Sequence, residues 1–227
     1  MISSEFYVQF HMRKVDKTYL LDILNSYKNL GYKYLDPIIL SSIKYTQRAQ
    51  TLPSELNILK KHINNCNLCS LSKTRNDFTK TSYTINDLML VFLSPNILDN
   101  KEIYNLLKKI MNNVLDSDIN NAMISYLIQC PIDKMHTDTN KYSNVCKAYL
   151  IKEIDIIKPK VIIMFGDTYN QFFDLNETIL DISGSILKYD NIILIPFIDL
   201  EFIIKNPSYK PKIFTDLLKI KKLLETI

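Results

Sequence analysis

Four cysteines are the residues of this chain whose type and spacing most clearly prescribe chemistry. Cys66 and Cys69 form a C-x2-C pair, 60 residues separate Cys69 from Cys130, 15 separate Cys130 from Cys146, and no other cysteine occurs. Two thiolates two residues apart can grip one centre from a single turn. A second pair closes a four-thiolate site suited to zinc or to an iron–sulfur cluster. Free cysteine is also a common core residue, so Cys130 or Cys146 alone reads as a buried thiol. As a set that uses every thiol in the chain, the pattern reads as metal-binding. Spacing leaves zinc and iron–sulfur both open.

The wider composition sets the context for those thiols. Residues 1–14 lack a charged start followed by an apolar run and a small-residue cleavage site, so no secretory signal is expected. No apolar run has the length of a bilayer span. The expected compartment is the cytoplasm, where structural disulfides are rare, and a monomer is the default. A net charge of +4 permits a nucleic-acid partner without demanding one. The only glycines are Gly31, Gly166 and Gly184, which leaves little room for a glycine-rich phosphate loop.

The elements that must position the cysteines can be read from periodicity. Leu20, Leu21, Leu24, Tyr27 and Leu30 predict a helix over 18–30 that stops at Gly31. A second helix is predicted over 53–64, opening at Pro53, with Cys66 and Cys69 in the loop after it. From residue 88 strands and helices alternate. Strands are expected at 88–93, 123–128, 161–165 and 192–195, and helices at 100–115, 143–157, 167–173 and 208–225. Strands that are apolar throughout, separated by helices, predict a three-layer α/β/α fold around a mainly parallel sheet. A site in such a fold lies at the carboxyl ends of the strands, here near Leu93–Asn96, Ile128–Pro131, Gly166 and Phe197–Asp199. Residues 1–64 are expected to form a helical extension packed on a core domain of residues 65–227.

The chain resembles the iron–sulfur (type-4) uracil-DNA glycosylase family over about residues 20–225. The resemblance is carried by Leu30-Gly31-Tyr32-Lys33-Tyr34-Leu35-Asp36-Pro37 and by Cys66-Asn67-Leu68-Cys69-Ser70-Leu71-Ser72-Lys73-Thr74-Arg75. It continues through Gln129-Cys130-Pro131, Cys146-Lys147-Ala148-Tyr149-Leu150 and Ile157-Lys158-Pro159-Lys160-Val161-Ile162-Ile163-Met164-Phe165-Gly166. It ends in Lys205-Asn206-Pro207-Ser208-Tyr209-Lys210-Pro211. The resemblance implies a uracil-DNA glycosylase-like fold and a 4Fe–4S cluster on Cys66, Cys69, Cys130 and Cys146, with zinc as the alternative. It implies that the cluster braces loops beside a DNA-binding face. It also implies phosphate contacts from Lys205, Asn206, Ser208 and Lys210.

The catalytic motifs depart from that family. Its first motif, Gly-Glu-(Ala/Gly)-Pro-Gly, is replaced by Phe92-Leu93-Ser94-Pro95-Asn96, with Leu93 at the acidic position and no clear stacking aromatic after it. Tyr126 stands where the family has an asparagine whose amide pairs with the uracil edge, and a phenol cannot supply that donor–acceptor pair. Asp199 stands where a histidine stabilises charge on the departing uracil, and an anion there opposes that charge. The expectation is a chain inactive on uracil that serves as a DNA-binding or protein-docking module in repair or replication. The alternative is an active glycosylase with a non-standard pocket built from Asn96, Tyr126 and Asp199 for uracil or another damaged base.

The remaining candidates have plainer readings. Of the three histidines, His11 has no assigned role, His62 reads as an exposed helical residue and His136 as part of a solvated loop. Asp199 and Asp167 read as helix caps. Lys219, Lys221 and Lys222 read as a solvated helix face.

Overall fold

The computed structural model describes residues 51–74, 87–132, 138–189 and 191–226. In chain order these form α1 (Leu56–Asn64), β1 (Leu88–Phe92), α2 (Lys101–Asn113), β2 (Met123–Tyr126), α3 (Thr139–Ile157), β3 (Val161–Phe165), α4 (Thr168–Phe173), α5 (Ile179–Ile182), β4 (Leu187–Tyr189), β5 (Ile192–Phe197), α6 (Leu200–Lys205) and α7 (Lys210–Leu224). The strands lie in the order β2-β1-β3-β5-β4. The first four in that order run parallel, and β4 is an antiparallel edge strand, with Leu187 opposite Leu194 and Tyr189 opposite Ile192.

The sheet divides the core in two. On one face Leu90, Phe92, Ile124, Ile163 and Ile195 pack against Ile103 and Leu107 of α2, Ile203 of α6 and Leu217 of α7. On the other, Met89, Val91, Ile162 and Met164 pack against Leu150, Ile154 and Ile157 of α3 and Tyr169 and Phe172 of α4. Alternate residues of each strand therefore go to opposite layers. A strand covered on both faces has to be apolar at every position, as the fully buried β1 and β3 are. This is the three-layer α/β/α architecture with a mainly parallel sheet. Helix α1 packs on this core, its Leu59 and Ile63 meeting Ala148 and Tyr149 of α3.

Several boundaries differ from the sequence expectations for local reasons. The helix expected from Pro53 starts at Leu56, with Glu55 as its cap residue. That expected from 143 starts at Thr139, because the Asp138 carboxylate accepts from the Lys141 N–H at 3.2 Å. The helix expected from 208 begins at Lys210, after a 3-10 turn over Pro207–Tyr209. The strand expected to reach Ile128 ends at Tyr126, although the Leu127 and Ile128 N–H groups still donate to the Phe92 and Leu93 carbonyls at 2.9 Å each. Edge strand β4 and the short helices α5 and α6 have too few residues to show a period and were not expected. The helix predicted over 18–30, the motif over 30–37, His11 and His136 lie outside the described residues.

No helix among the described residues is long and apolar enough to cross a membrane.

Candidate metal centre

The four cysteines come from three segments. Cys66 follows α1, and its N–H donates to the Ile63 carbonyl at 3.1 Å. Three residues on, the Cys69 carbonyl accepts from both the N–H (3.2 Å) and the hydroxyl (2.7 Å) of Ser72, folding the chain into the 3-10 turn Ser70–Thr74. Cys130 lies just past the carboxyl end of β2, and Cys146 is on the buried side of α3. Cys130 and Cys146 are buried with Leu71, Ile128 and Tyr142, and Cys69 packs against that group. Cys66 packs against the neighbouring α1–α3 contact. A hydrogen bond of 3.1 Å between the Ser70 and Tyr142 hydroxyls ties the C-x2-C turn to α3.

The other three cysteines act electrostatically on Cys146. Burial pushes its thiol up to about 12, and negative charge on Cys130, Cys69 or Cys66 pushes in the same direction. The Gln129 backbone N–H donates to the Cys146 sulfur and works against that rise. With no cation present this thiol stays protonated at neutral pH. A bound metal supplies the charge that displaces the proton.

The donor set fits a thiolate-bound centre: four sulfurs, two half-buried and two buried, with an N–H already aimed at one of them. Among the described residues, no three Cys, His, Asp or Glu side chains form a group that could hold a single metal ion as they stand. His62, on the exposed side of α1, rests against the Tyr149 ring at 6.2 Å between centroids, with the planes tilted by 58°.

The residues expected around a base pocket are each tied into the framework. Every parallel strand ends on an aromatic residue: Phe92, Tyr126, Phe165 and Phe197. All four rings are buried in the same core cluster. Phe92 and Phe165 stack at 4.5 Å, Phe197 meets Phe165 edge-on at 5.7 Å, and Tyr126 is the register partner of Phe92. On that face the carboxyl ends of the sheet are filled with rings. Tyr126 is 0% exposed, and its phenol is held far above its ordinary value, first by burial and then by the charge of Asp99. Leu93 packs on the opposite face, against the α3–α4 layer and the cysteine cluster.

Asn96 acts as a clamp. Its Nδ2 donates to the Ile132 carbonyl at 2.8 Å, its Oδ1 accepts from the Ile132 N–H at 3.2 Å, and Oδ1 also accepts from the Ser94 hydroxyl. Asp199 caps α6 by accepting from the Glu201 N–H at 3.1 Å. Burial raises its carboxyl above the ordinary value, while hydrogen bonding from the Glu201 N–H opposes the rise. It also stands over Gly166, where φ is +63° and a Cβ would come within 3.3 Å of the Asp199 Cβ. Leu93, Asn96, Tyr126 and Asp199 are thus each engaged in packing or hydrogen bonding. A cavity of about 560 Å³ lies elsewhere, lined by Leu98, Asp99, Tyr104, Asn105, Ile119 and Ile124 among others.

The segment expected to contact phosphates is mostly exposed. The Lys205 ammonium pairs with Glu201 at 2.6 Å across one helical turn, a solvated pair of the kind that adds little stability. Asn206 is half-buried and donates to the Phe202 carbonyl at 2.9 Å. Ser208 and Lys210 are exposed.

Several buried polar groups that sequence reading does not single out lie in or against α3. The hydroxyl of Ser125 donates to the fully buried Glu153, bonding β2 to α3. Lys147, 3% exposed, pairs with Asp174 at 2.9 Å. Burial lowers its ammonium, and the Asp174 carboxylate partly restores it. Gln129 is 1% exposed and gives its side-chain N–H to the Tyr126 carbonyl at 2.8 Å. The one available signal was a helix with charged residues inside an otherwise apolar pattern. Such charges usually face water, so the pattern pointed away from these contacts.

The chain matches no protein-family model and no curated protein.

Proposed function

We propose that this chain is an iron–sulfur protein of the uracil-DNA glycosylase superfamily whose base pocket is closed, and that it serves as a DNA-binding or protein-docking module in DNA repair or replication. Cys66, Cys69, Cys130 and Cys146 would hold a 4Fe–4S cluster. When bound, the cluster supplies a rigid crosslink between the α1 loop, the carboxyl end of β2 and α3. The Gln129 N–H stabilises negative charge on the Cys146 sulfur. Four thiolates suit zinc or an iron–sulfur cluster, and the resemblance to the iron–sulfur uracil-DNA glycosylases is what favours the 4Fe–4S cluster.

The observation that carries the non-catalytic reading is the filled end of the sheet. Tyr126 is fully buried beside Phe92, Phe165 and Phe197. Asn96 spends its amide on the Ile132 backbone, and Asp199 caps α6. A glycosylase needs an open pocket for an extruded base and polar groups aimed into it. Phosphate contacts would come from Lys205, Asn206, Ser208 and Lys210, which lie together where α6 passes into α7.

The test is to incubate anaerobically purified protein with uracil-containing single- and double-stranded oligonucleotides, resolving bound from cleaved species at stated salt. Shifted but uncut DNA is expected. Excision of uracil at an enzymatic rate would show that the pocket opens, and Tyr126 and Asp199 would then be the residues to substitute.

A further inference from the structure

Helix α7 buries Ile213, Leu217 and Ile220 against the sheet. Its outer side carries a second pattern. Lys210, Phe214, Leu218 and Lys222 recur every fourth residue and form one continuous stripe about 18 Å long at 1.5 Å per residue. All four are exposed, and Phe214 at 52% and Leu218 at 39% are among the most exposed large apolar side chains described.

The other lysines of α7 are engaged. Lys219 pairs with Asp216 at 3.0 Å, Lys221 pairs with Asp116, and the Lys212 ammonium donates to the Leu180 carbonyl at 2.6 Å. Lys210 and Lys222 have no acidic partner among the described residues. The stripe is thus an apolar pair bracketed at both ends by free cations.

We propose that this Lys210–Phe214–Leu218–Lys222 stripe is a docking surface for an acidic amphipathic peptide segment of a partner protein. Such a segment would set two apolar anchors against Phe214 and Leu218 and place carboxylates at each end. Anchors at helical spacing on an exposed helix face are a recurrent mode of peptide recognition, and the bracketing charges fix register and favour acidic partners over basic ones. Nucleic acid fits less well. Phosphates are met by cations and N–H groups, and a water-facing Phe–Leu pair between them gains little there. The stripe shares only Lys210 with the segment proposed for phosphate contacts. The inference rests on α7 alone and stands whether or not the chain binds DNA.

The experiment uses the full chain and a labelled peptide with two Leu anchors flanked at each end by Glu on the same face, read by fluorescence anisotropy. A version with lysine in place of glutamate, a duplex oligonucleotide and phosphatidylserine vesicles are run beside it. Phe214→Ser with Leu218→Ser should weaken the acidic peptide by at least about tenfold, as loss of central anchors does. Lys210→Glu with Lys222→Glu should lose the acidic peptide and gain the lysine version. These side chains are exposed, so circular dichroism should show both variants folded. The proposal is overturned if the acidic peptide fails to bind or binds the variants as well as the parent. It is also overturned if the variants lose only oligonucleotide or vesicle binding.

Discussion

Replacing Asn96 by alanine separates the two possible uses of its amide. The side chain bridges the turn after β1 to Ile132, two residues beyond Cys130, through a donated bond of 2.8 Å and an accepted bond of 3.2 Å, and it also accepts from the Ser94 hydroxyl. Alanine removes all three bonds. Each lost bond to a backbone group costs about 1 kcal/mol, and more where the orphaned group stays dry. Ile132 is only half-buried, so water can recover part of the loss. The net expectation is about 2 kcal/mol, or roughly 4–8 °C in Tm for a chain of this size. Asn96→Asp should be worse. It keeps an acceptor for the Ile132 N–H but turns a carboxylate oxygen towards the Ile132 carbonyl. Thermal denaturation followed by circular dichroism, on metal-loaded and metal-stripped protein, measures both. A loss below about 0.5 kcal/mol for Asn96→Ala, within the usual range for an unremarkable surface change, would refute the clamp and return Asn96 to the candidates for ligand contact.

Two further perturbations follow from backbone and burial. Gly184→Ala should destabilise strongly, by about 2 kcal/mol or more, because φ is +77° and the added Cβ would fall 2.6 Å from the Cβ and Cγ of Asp216; an unchanged denaturation midpoint would contradict that packing. For Asp199, burial raises the folded carboxyl above its unfolded value, so the folded chain holds this proton to higher pH and its stability falls as pH climbs from about 4 through the folded value. An asparagine at this position would still cap α6, so Asp199→Asn should be at least as stable as the parent at neutral pH, with the difference shrinking below about pH 4; a parent that is the more stable at neutral pH would reverse the sign of this argument.

The sheet was legible because its parallel strands are buried on both faces. Leu88–Phe92 and Val161–Phe165 are unbroken apolar runs, and that composition forces helices onto both sides. The cysteine site was legible as a set of residue types. The geometry was less so, since nothing in the spacing shows that Cys66 would lean on the α1–α3 contact while Cys69 packs with Cys130 and Cys146. Edge strand β4 escaped notice because three residues carry no period. The buried Ser125–Glu153 and Lys147–Asp174 pairs are invisible to patterns that assign charges to the surface. The position of Asp199 after an apolar strand predicts a cap, and it caps α6. The ring-filled end of the sheet could have been noticed, because Phe92, Tyr126, Phe165 and Phe197 each close an apolar run. Their meeting depends on strand register, which sequence does not set out.

The proposed iron–sulfur cluster on the four cysteines can be tested directly. The most direct measurement is iron, acid-labile sulfide and zinc content per chain after anaerobic purification, for the parent and for Cys146→Ser. The account predicts about four irons and four sulfides per parent chain, with broad visible absorption, both falling sharply in the variant. Stoichiometric zinc without iron, or an iron content that Cys146→Ser leaves unchanged, would contradict it.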